Sequence, residues 1–151
     1  MEGKEITDEL KNEMISHNKW SSDHPYAEST IKHYEEIADK YEDIYLTVGY
    51  HDHIKTNEMA SKLFKERETR SNLQVLDMGC GTGLVGQEMQ ATGFSNIIGV
   101  DASKAMCQQA STKNGGKAYA ELRELFLGRP ETFPDDLKNR FDIVTGASIL
   151  A

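Results

Sequence analysis

Val75-Leu76-Asp77-Met78-Gly79-Cys80-Gly81-Thr82-Gly83 runs from apolar residues through an acid into three glycines within five positions, and Leu84 to Ala91 behind it has a helical pattern. Leu73 to Met78 reads as a short strand, so the stretch predicts a strand, a bare-backbone loop and a helix N-terminus. Side chains at Gly79, Gly81 and Gly83 would keep a ligand off the backbone, and glycine also permits left-handed torsions in such a turn. The unit is a candidate cradle for a small molecule.

Two registers of glycine compete. Gly81-Thr82-Gly83-Leu84-Val85-Gly86 has the G-x-G-x-x-G spacing of a dinucleotide fingerprint, but that fingerprint starts where its strand ends, and here the strand ends before Gly79. Counted from Gly79, Leu84 stands where the third glycine belongs, so close helix-to-strand packing is not expected. A second apolar run, Asn96-Ile97-Ile98-Gly99-Val100-Asp101, also ends in an acid, twenty-four residues after Asp77. A carboxylate there can accept hydrogen bonds from adjacent ribose hydroxyls in either cofactor class. Ser103 is a candidate N-cap for a helix from Lys104 to about Ser111.

An acid, one residue, then G-x-G-x-G, with the second acid one strand later, resembles the first motif of class I S-adenosylmethionine-dependent methyltransferases. The resemblance implies that Asp77 positions the glycine loop and the methionine amino group, that the backbone at Gly79, Cys80, Gly81 and Gly83 approaches the cofactor, and that Asp101 meets its ribose. By the same resemblance Ala102 is the small residue after the acid, and Met106 packs near the adenine. Ala38 to Tyr45 is similar to the segment preceding the domain in many small-molecule methyltransferases, which makes Tyr41 the expected lid over the cofactor. Leu46 to Tyr50 followed by a helix resembles, more narrowly, the methyltransferase-like proteins of the Williams–Beuren chromosomal region, over roughly Tyr34 to Leu150.

With 151 residues, 28% charged and 38% apolar, the chain has the size and composition of one soluble domain. A net charge of −8 and a pI near 5.1 argue against a nucleic-acid footprint, which needs clustered Lys and Arg. No apolar run reaches membrane-spanning length, and no secretory core follows Met1. Cys80 and Cys107 form neither a disulfide framework nor a zinc pattern, so a reduced cytosolic or nuclear setting is expected.

Ile6, Leu10, Met14 and Ile15 give a thin helical stripe in residues 1–19, and Trp20 to Glu28 reads as a connector. His17 and His24 lack partners at metal spacing. Ile31, Tyr34, Ile37, Ala38 and Tyr41 predict an amphipathic helix, Gly49 a break, and residues 53–67 a helix with Ile54, Met59, Leu63 and Phe64 inward. His51 and His53 flank Asp52, a spacing commoner in loops than in metal sites, so no metal is expected. Asn114-Gly115-Gly116 predicts a turn, Lys117 to Leu127 a third strand placed toward Phe126, Phe133 to Asp136 a loop, and Phe141 to Leu150 a fourth strand resembling the family's Phe-Asp-x-Val strand. The resemblance assigns adenine contacts to backbone near Leu127 and Gly128, and places Gly146 beside the transferred methyl. Amino-methyltransferases acting on nucleic-acid bases commonly carry Asn-Pro or Asp-Pro there, whereas this chain has Gly146-Ala147.

The expected fold is therefore α/β, a Rossmann-like three-layer sandwich with a mostly parallel sheet behind N-terminal helices. Residues 1–28 form the helix and connector, and residues 29–151 the cofactor domain. The family has seven strands and four are visible, so a portion of a longer protein or a short form is expected. The expected function is methyl transfer from S-adenosylmethionine, yielding S-adenosylhomocysteine, to a small molecule or a protein side chain, with no residue assigned as catalytic base and the oligomeric state open. The alternatives are a binding module without turnover and, more remotely, an NAD-dependent oxidoreductase.

Overall fold

The computed structural model describes residues 7–9, 11, 12, 15, 16 and 27–149. The expectations for Ile6, Leu10, Met14, His17, His24, the connector before Ala27 and residues 150–151 lie outside them. In chain order the elements are α1 (Ala27–Ile37), α2 (Tyr41–Thr47), α3 (Asp52–Leu63), β1 (Gln74–Met78), α4 (Leu84–Ala91), β2 (Asn96–Asp101), α5 (Lys104–Ala110), β3 (Glu121–Glu124) and β4 (Ile143–Thr145). Short 3-10 turns lie at Arg67–Asn72, Lys113–Gly116, Pro130–Thr132 and Asp135–Leu137.

The strands pair in parallel in the order β3-β2-β1-β4. Val75 stands opposite Ile97 and Ile143, and Asp77 opposite Gly99 and Thr145. Successive strands step away from β1 on one side and β4 returns on the other, so the order reverses at β1. In open parallel sheets the crevice at such a reversal, beyond the strands' carboxyl ends, is where ligands bind. Here it opens above Asp77 and the glycine loop.

Alternation along the strands divides the core. Val75 and Ile97 join Val85, Met89, Phe94, Ala110 and Tyr119 on the helical face, whereas Leu76, Ile98 and Val100 meet Leu137, with Phe133, Phe141 and Leu127 packed around them. Both faces of β1 and β2 are buried, as parallel strands require. The helical layer is pinned by Arg70, whose guanidinium donates to the carbonyls of Ser61, Phe64 and Thr92 at 3.3, 2.8 and 2.8 Å. One buried cation thus caps the C-termini of α3 and α4, where the helix dipoles favour positive charge, and it lies 5.3 Å from the Phe94 ring centroid.

Several expectations need correction. The helix before Gly49 is two helices, broken at residues 38–40, and the first begins at Ala27, inside the expected connector. α3 ends at Leu63 because Arg70 takes its last carbonyls. Its inward face is His53, Asn57 and Ala60, while Ile54, Met59 and Leu63 point to solvent, the last two 67% and 78% exposed. The reason is polar: Asn57 Oδ1 accepts the Thr92 hydroxyl at 2.7 Å, turning that stripe toward α4. β3 ends at Glu124 rather than near Phe126, and the Phe126 ring instead folds against Gly128. β4 keeps only three paired residues, because the left-handed Ser148 (φ +58°) bends the chain and Ile149 packs back on Gly79 and Gly146. Within the expected Phe133–Asp136 loop, Asp135 and Asp136 open a 3-10 turn that seats Leu137, 2% exposed, under the sheet.

Candidate cofactor site

The glycine loop takes three left-handed torsions, at Gly79 (φ +64°), Gly81 (+53°) and Gly83 (+93°), and these are strained for any L side chain. Their open directions differ from the expectation. A β-carbon at Gly79 would strike Ile149, and one at Gly83 would lie 2.9 Å from Ala110 Cα and 3.1 Å from Tyr119. At Gly81 it would meet nothing within 4 Å. Gly79 and Gly83 therefore serve packing, and Gly81 alone of the three faces open space. Cys80 turns its thiol into the helical core, and its amide donates to Val100 O at 3.0 Å, so the loop offers backbone there. Thr82, also buried, closes the turn.

Asp101 organises the loop from β2. One carboxylate oxygen accepts the Gly81 amide and the other the Ser103 amide, both at 2.9 Å. Sequence reading left this carboxylate free for ribose. In the structure each oxygen already holds one backbone N–H and retains further lone pairs, so Asp101 first fixes the distance between the two cofactor-side loops. Burial pushes its carboxyl above the usual range, against the pull of those amides. Ser103 accepts the Met106 amide at 3.2 Å, as an N-cap should. Met106 itself is 2% exposed, beneath the surface an adenine would touch, whereas Ala102 is half-buried at it. Leu127 packs into the second core, Gly128 is exposed beside Phe126, and Gly146 is exposed at the end of β4.

Asp77 sits deeper, 1% exposed, between two hydroxyl donors: Tyr119 at 2.7 Å and Thr145 at 2.8 Å. The Tyr119 oxygen also accepts the Gly86 amide at 3.1 Å, one of the unpaired first-turn N–H groups of α4. Sequence reasoning missed Tyr119 and Thr145, which join β4, β1 and α4 through one carboxylate. The Tyr119 ring lies between α4 and β2: a β-carbon at Gly86 would strike it, and one at Gly99 would lie 2.8 Å from it. Both glycines are the slot for that ring.

Desolvation raises the Asp77 carboxyl from 3.8 to about 6, with the two hydroxyls opposing it. A carboxyl raised on folding stabilises the fold fully below its unfolded value, and that contribution disappears as pH climbs through the folded value. The shift from 3.8 to about 6 corresponds to roughly 3 kcal/mol. Chemical denaturation between pH 3.5 and 7.5 should therefore show Asp77→Asn gaining stability relative to the parent as pH rises through this window. A pH-independent difference would contradict the assignment.

The N-terminal helices lie against this site. Glu35 Oε1 accepts the Ser103 hydroxyl at 3.0 Å and the Ala105 amide at 3.1 Å, giving α5 a second cap from α1. Lys113 pairs with Glu42 at 2.5 Å. The Ala105 amide leads the contacts that hold the Glu35 carboxyl below its ordinary value. Losing a cap of this kind costs about 1 kcal/mol, so Glu35→Ala should speed amide exchange in α1 by roughly fivefold while leaving β1 protected. Unchanged exchange in α1 would show that the tether carries no load.

Tyr41 opens α2, stacked on Tyr45 at 4.4 Å and within reach of the Asp101 charge. His51, Asp52 and His53 diverge: His51 Nδ1 lies 2.7 Å from Gly49 O, Asp52 accepts the Ser148 hydroxyl, and His53 is buried against Tyr50. Among the described residues no group of three His, Cys, Asp or Glu is placed to hold a metal, and no helix is long and apolar enough to cross a membrane. Cys80 and Cys107 form no disulfide; the Cys80 thiol is directed to Gly81 O at 3.9 Å and the Cys107 thiol to Arg123 O at 3.7 Å.

A parallel sheet reversing at β1, an acid-anchored glycine loop and an acid ending β2 define the Rossmann-like class of adenosyl-cofactor folds. The methyltransferase domain family matches residues 75–150 of the chain, and the chain belongs to that family. It is 30% identical over 139 residues to the ubiquinone biosynthesis O-methyltransferase of Rickettsia typhi, covering 90% of this chain and 46% of that protein. It is 53% identical over 70 residues to human methyltransferase-like protein 27, of the Williams–Beuren region, covering 46% of this chain and 26% of that one. The magnesium protoporphyrin IX methyltransferase of Synechocystis PCC 6803, solved with bound SAH, superposes with a TM-score of 0.51 at 21% identity, over 70% of this chain and 45% of that one, a likeness of fold. The chain thus spans less than half the length of each.

Proposed function

We propose that this chain supplies the cofactor-binding half of an S-adenosylmethionine-dependent methyltransferase whose acceptor is a hydroxyl group of a small molecule. The observation that carries the cofactor reading is Asp101 holding the Gly81 and Ser103 amides at the sheet's reversal point, beside the one loop glycine that faces open space. S-adenosylmethionine, when bound, supplies an electrophilic methyl group on a sulfonium. The chain's own part is to fix a nucleoside and an amino acid in one orientation: Asp101 retains acceptor capacity for ribose hydroxyls, the Gly81 backbone allows close approach, and Asp77 gives the deep end negative charge above about pH 6. In-line displacement gains most from such positioning, which removes the entropy of bringing reactants together. The nicotinamide reading lacks its register, because the fingerprint begins where its strand ends and β1 ends at Met78, ahead of Gly79 rather than Gly81.

The hydroxyl acceptor is supported by the names of the relatives that match 90%, 68% and 62% of the chain, all ubiquinone biosynthesis O-methyltransferases. The net charge of −8 supports an acceptor other than nucleic acid. The two free thiols support a reducing setting, cytosolic or nuclear; a fluorescent fusion found in the secretory pathway would contradict it. Incubation with tritiated-methyl cofactor and cell extract should put label into the organic-extractable fraction. Label confined to precipitated protein would replace the acceptor class, and saturable cofactor binding without label in either fraction would mark a binding module without turnover.

A further inference from the structure

Thr145 is the last paired residue of β4, and its hydroxyl donates to Asp77. The next four residues turn back over the crevice and are held there by side chains. Gly146 is exposed, Ala147 packs against the helical core, Ser148 donates its hydroxyl to Asp52 at the start of α3, and Ile149 stands over the glycine loop. A β-carbon at Gly79 would strike Ile149 Cγ2 and lie 3.4 Å from Ile149 Cβ, and one at Gly146 would lie 2.8 Å from Ile149 Cδ1. The bare face of Gly79 is thus covered by an isoleucine from the end of the neighbouring strand, whereas that of Gly81 is open. Covering it has a conformational cost: Ser148 has φ +58°, a left-handed torsion unfavourable for a residue with a β-carbon. Little opposes that strain, because the Ser148–Asp52 bond lies at the surface and Ile149 remains 37% exposed. A segment with a strained joint, one surface hydrogen bond and a partly buried side chain sits at the low-stability end of a fold, where opening needs little free energy.

We propose that residues 146–149 are a strap closing the glycine-loop end of the crevice, with Ile149 in the place that a ligand lying on the Gly79 backbone would take, and that S-adenosylmethionine binds the conformation in which the strap has swung away about Gly146. This rests on the cofactor reading above. Ser148 and Asp52 are the latch. The Thr145 bond to Asp77 keeps β4 in the sheet while the strap moves, so the two sides of the hinge are held independently. When the competent conformation is a fraction f of the whole, the apparent dissociation constant is the intrinsic one divided by f, so a closed strap weakens binding without touching the ligand. Releasing the latch raises f and speeds association, and it leaves dissociation from the open conformation unchanged. Loss of one hydrogen bond shifts such populations by about 2- to 10-fold.

Surface plasmon resonance with the chain immobilised reads both rate constants for S-adenosylmethionine. Ser148→Ala removes the latch and keeps the strained torsion, and Ile149→Ala uncovers Gly79. Each should raise the association rate and the affinity by about 2- to 10-fold over the parent, with the dissociation rate unchanged. Ser148→Gly also loses the hydroxyl but takes the left-handed torsion freely, so it should gain less than Ser148→Ala. An unchanged association rate in either alanine variant overturns the strap. So does faster dissociation with lower affinity, which would make Ile149 a wall of the occupied site. A parent and variants that are folded by circular dichroism and bind nothing remove the cofactor reading itself, and the strap with it.

Discussion

Gly86→Ala should destabilise the chain by roughly 3 kcal/mol although alanine is the better helix former. Its β-carbon would lie 2.5 Å from Tyr119 Cε2 and 2.6 Å from the hydroxyl. The ring has no free side to move to, since Gly99 and Gly83 bound it elsewhere and the hydroxyl is committed to Asp77 and the Gly86 amide. Overpacking a rigid site costs about 1–3 kcal/mol, loss of a buried charged-group hydrogen bond adds about 1.5–3, and the gain in helix propensity returns about 1. The expected readout is a lower urea midpoint with an unchanged slope. Coupling identifies the cause: Gly86→Ala with Tyr119→Ala should cost less than the sum of the two single changes, because the second removes the obstacle to the first. Additive costs would mean that the ring slot is not what demands glycine at position 86.

Asp101→Ala should cost at least 100-fold in affinity for S-adenosylmethionine while the chain stays folded. The substitution removes the acceptor for ribose hydroxyls, and hydrogen bonds to a charged group contribute about 1.5–3 kcal/mol each. It also releases the Gly81 and Ser103 amides, so the two loops lose their common anchor. Stability should change little, because the carboxylate is pushed up by burial and its removal relieves desolvation. Equilibrium dialysis with a circular dichroism check reads both effects. Parent-like affinity in a folded variant would show that Asp101 is architectural only. Gly81→Val gives an independent view, since its side chain would enter open space rather than the core: binding should fall far more than the strain of its left-handed torsion lowers stability.

Local signals in the sequence carried the centre of the fold. The bounds of α4 and β2 and the Ser103 cap follow from a glycine break, apolar runs ending in acids, and a serine placed before a helix. The failures are all cases where a distant partner sets the local outcome. α3 has an apolar set in its sequence, yet Asn57 turns toward Thr92, thirty-five residues away, and leaves Met59 and Leu63 in water. Tyr119 looks like an ordinary core aromatic; its bond to Asp77 spans forty-two residues and appears only once β1, β2 and α4 stand together. A trace was present in Gly86 and Gly99, two glycines in otherwise apolar elements, which mark close approach by something large. Glu35 lies on the polar side of a helix, where acids are unremarkable, and nothing local links it to Ser103. β4 carries an apolar run long enough for a full strand, but Gly146 and the left-handed Ser148 end it after three pairs, leaving Val144 54% exposed at the sheet's edge.

The site expectations divide along the same line. The bare backbone at Gly81 was legible in the glycine spacing, because access depends on absent side chains, whereas the hold of Asp101 on two backbone amides was not. The packing around the other positions was not legible: Met106 is buried, Ile149 packs over Gly79, and Asp77 is shared between two hydroxyls.

The central claim is that the crevice above β1 takes an adenosyl cofactor. Calorimetric titration of S-adenosylmethionine and S-adenosylhomocysteine into the 151-residue chain, with NAD as competitor, tests it most directly. The account predicts saturable binding of both at one site, undisturbed by NAD. A chain that is folded by circular dichroism and silent to both ligands, or that releases them to NAD, would contradict it.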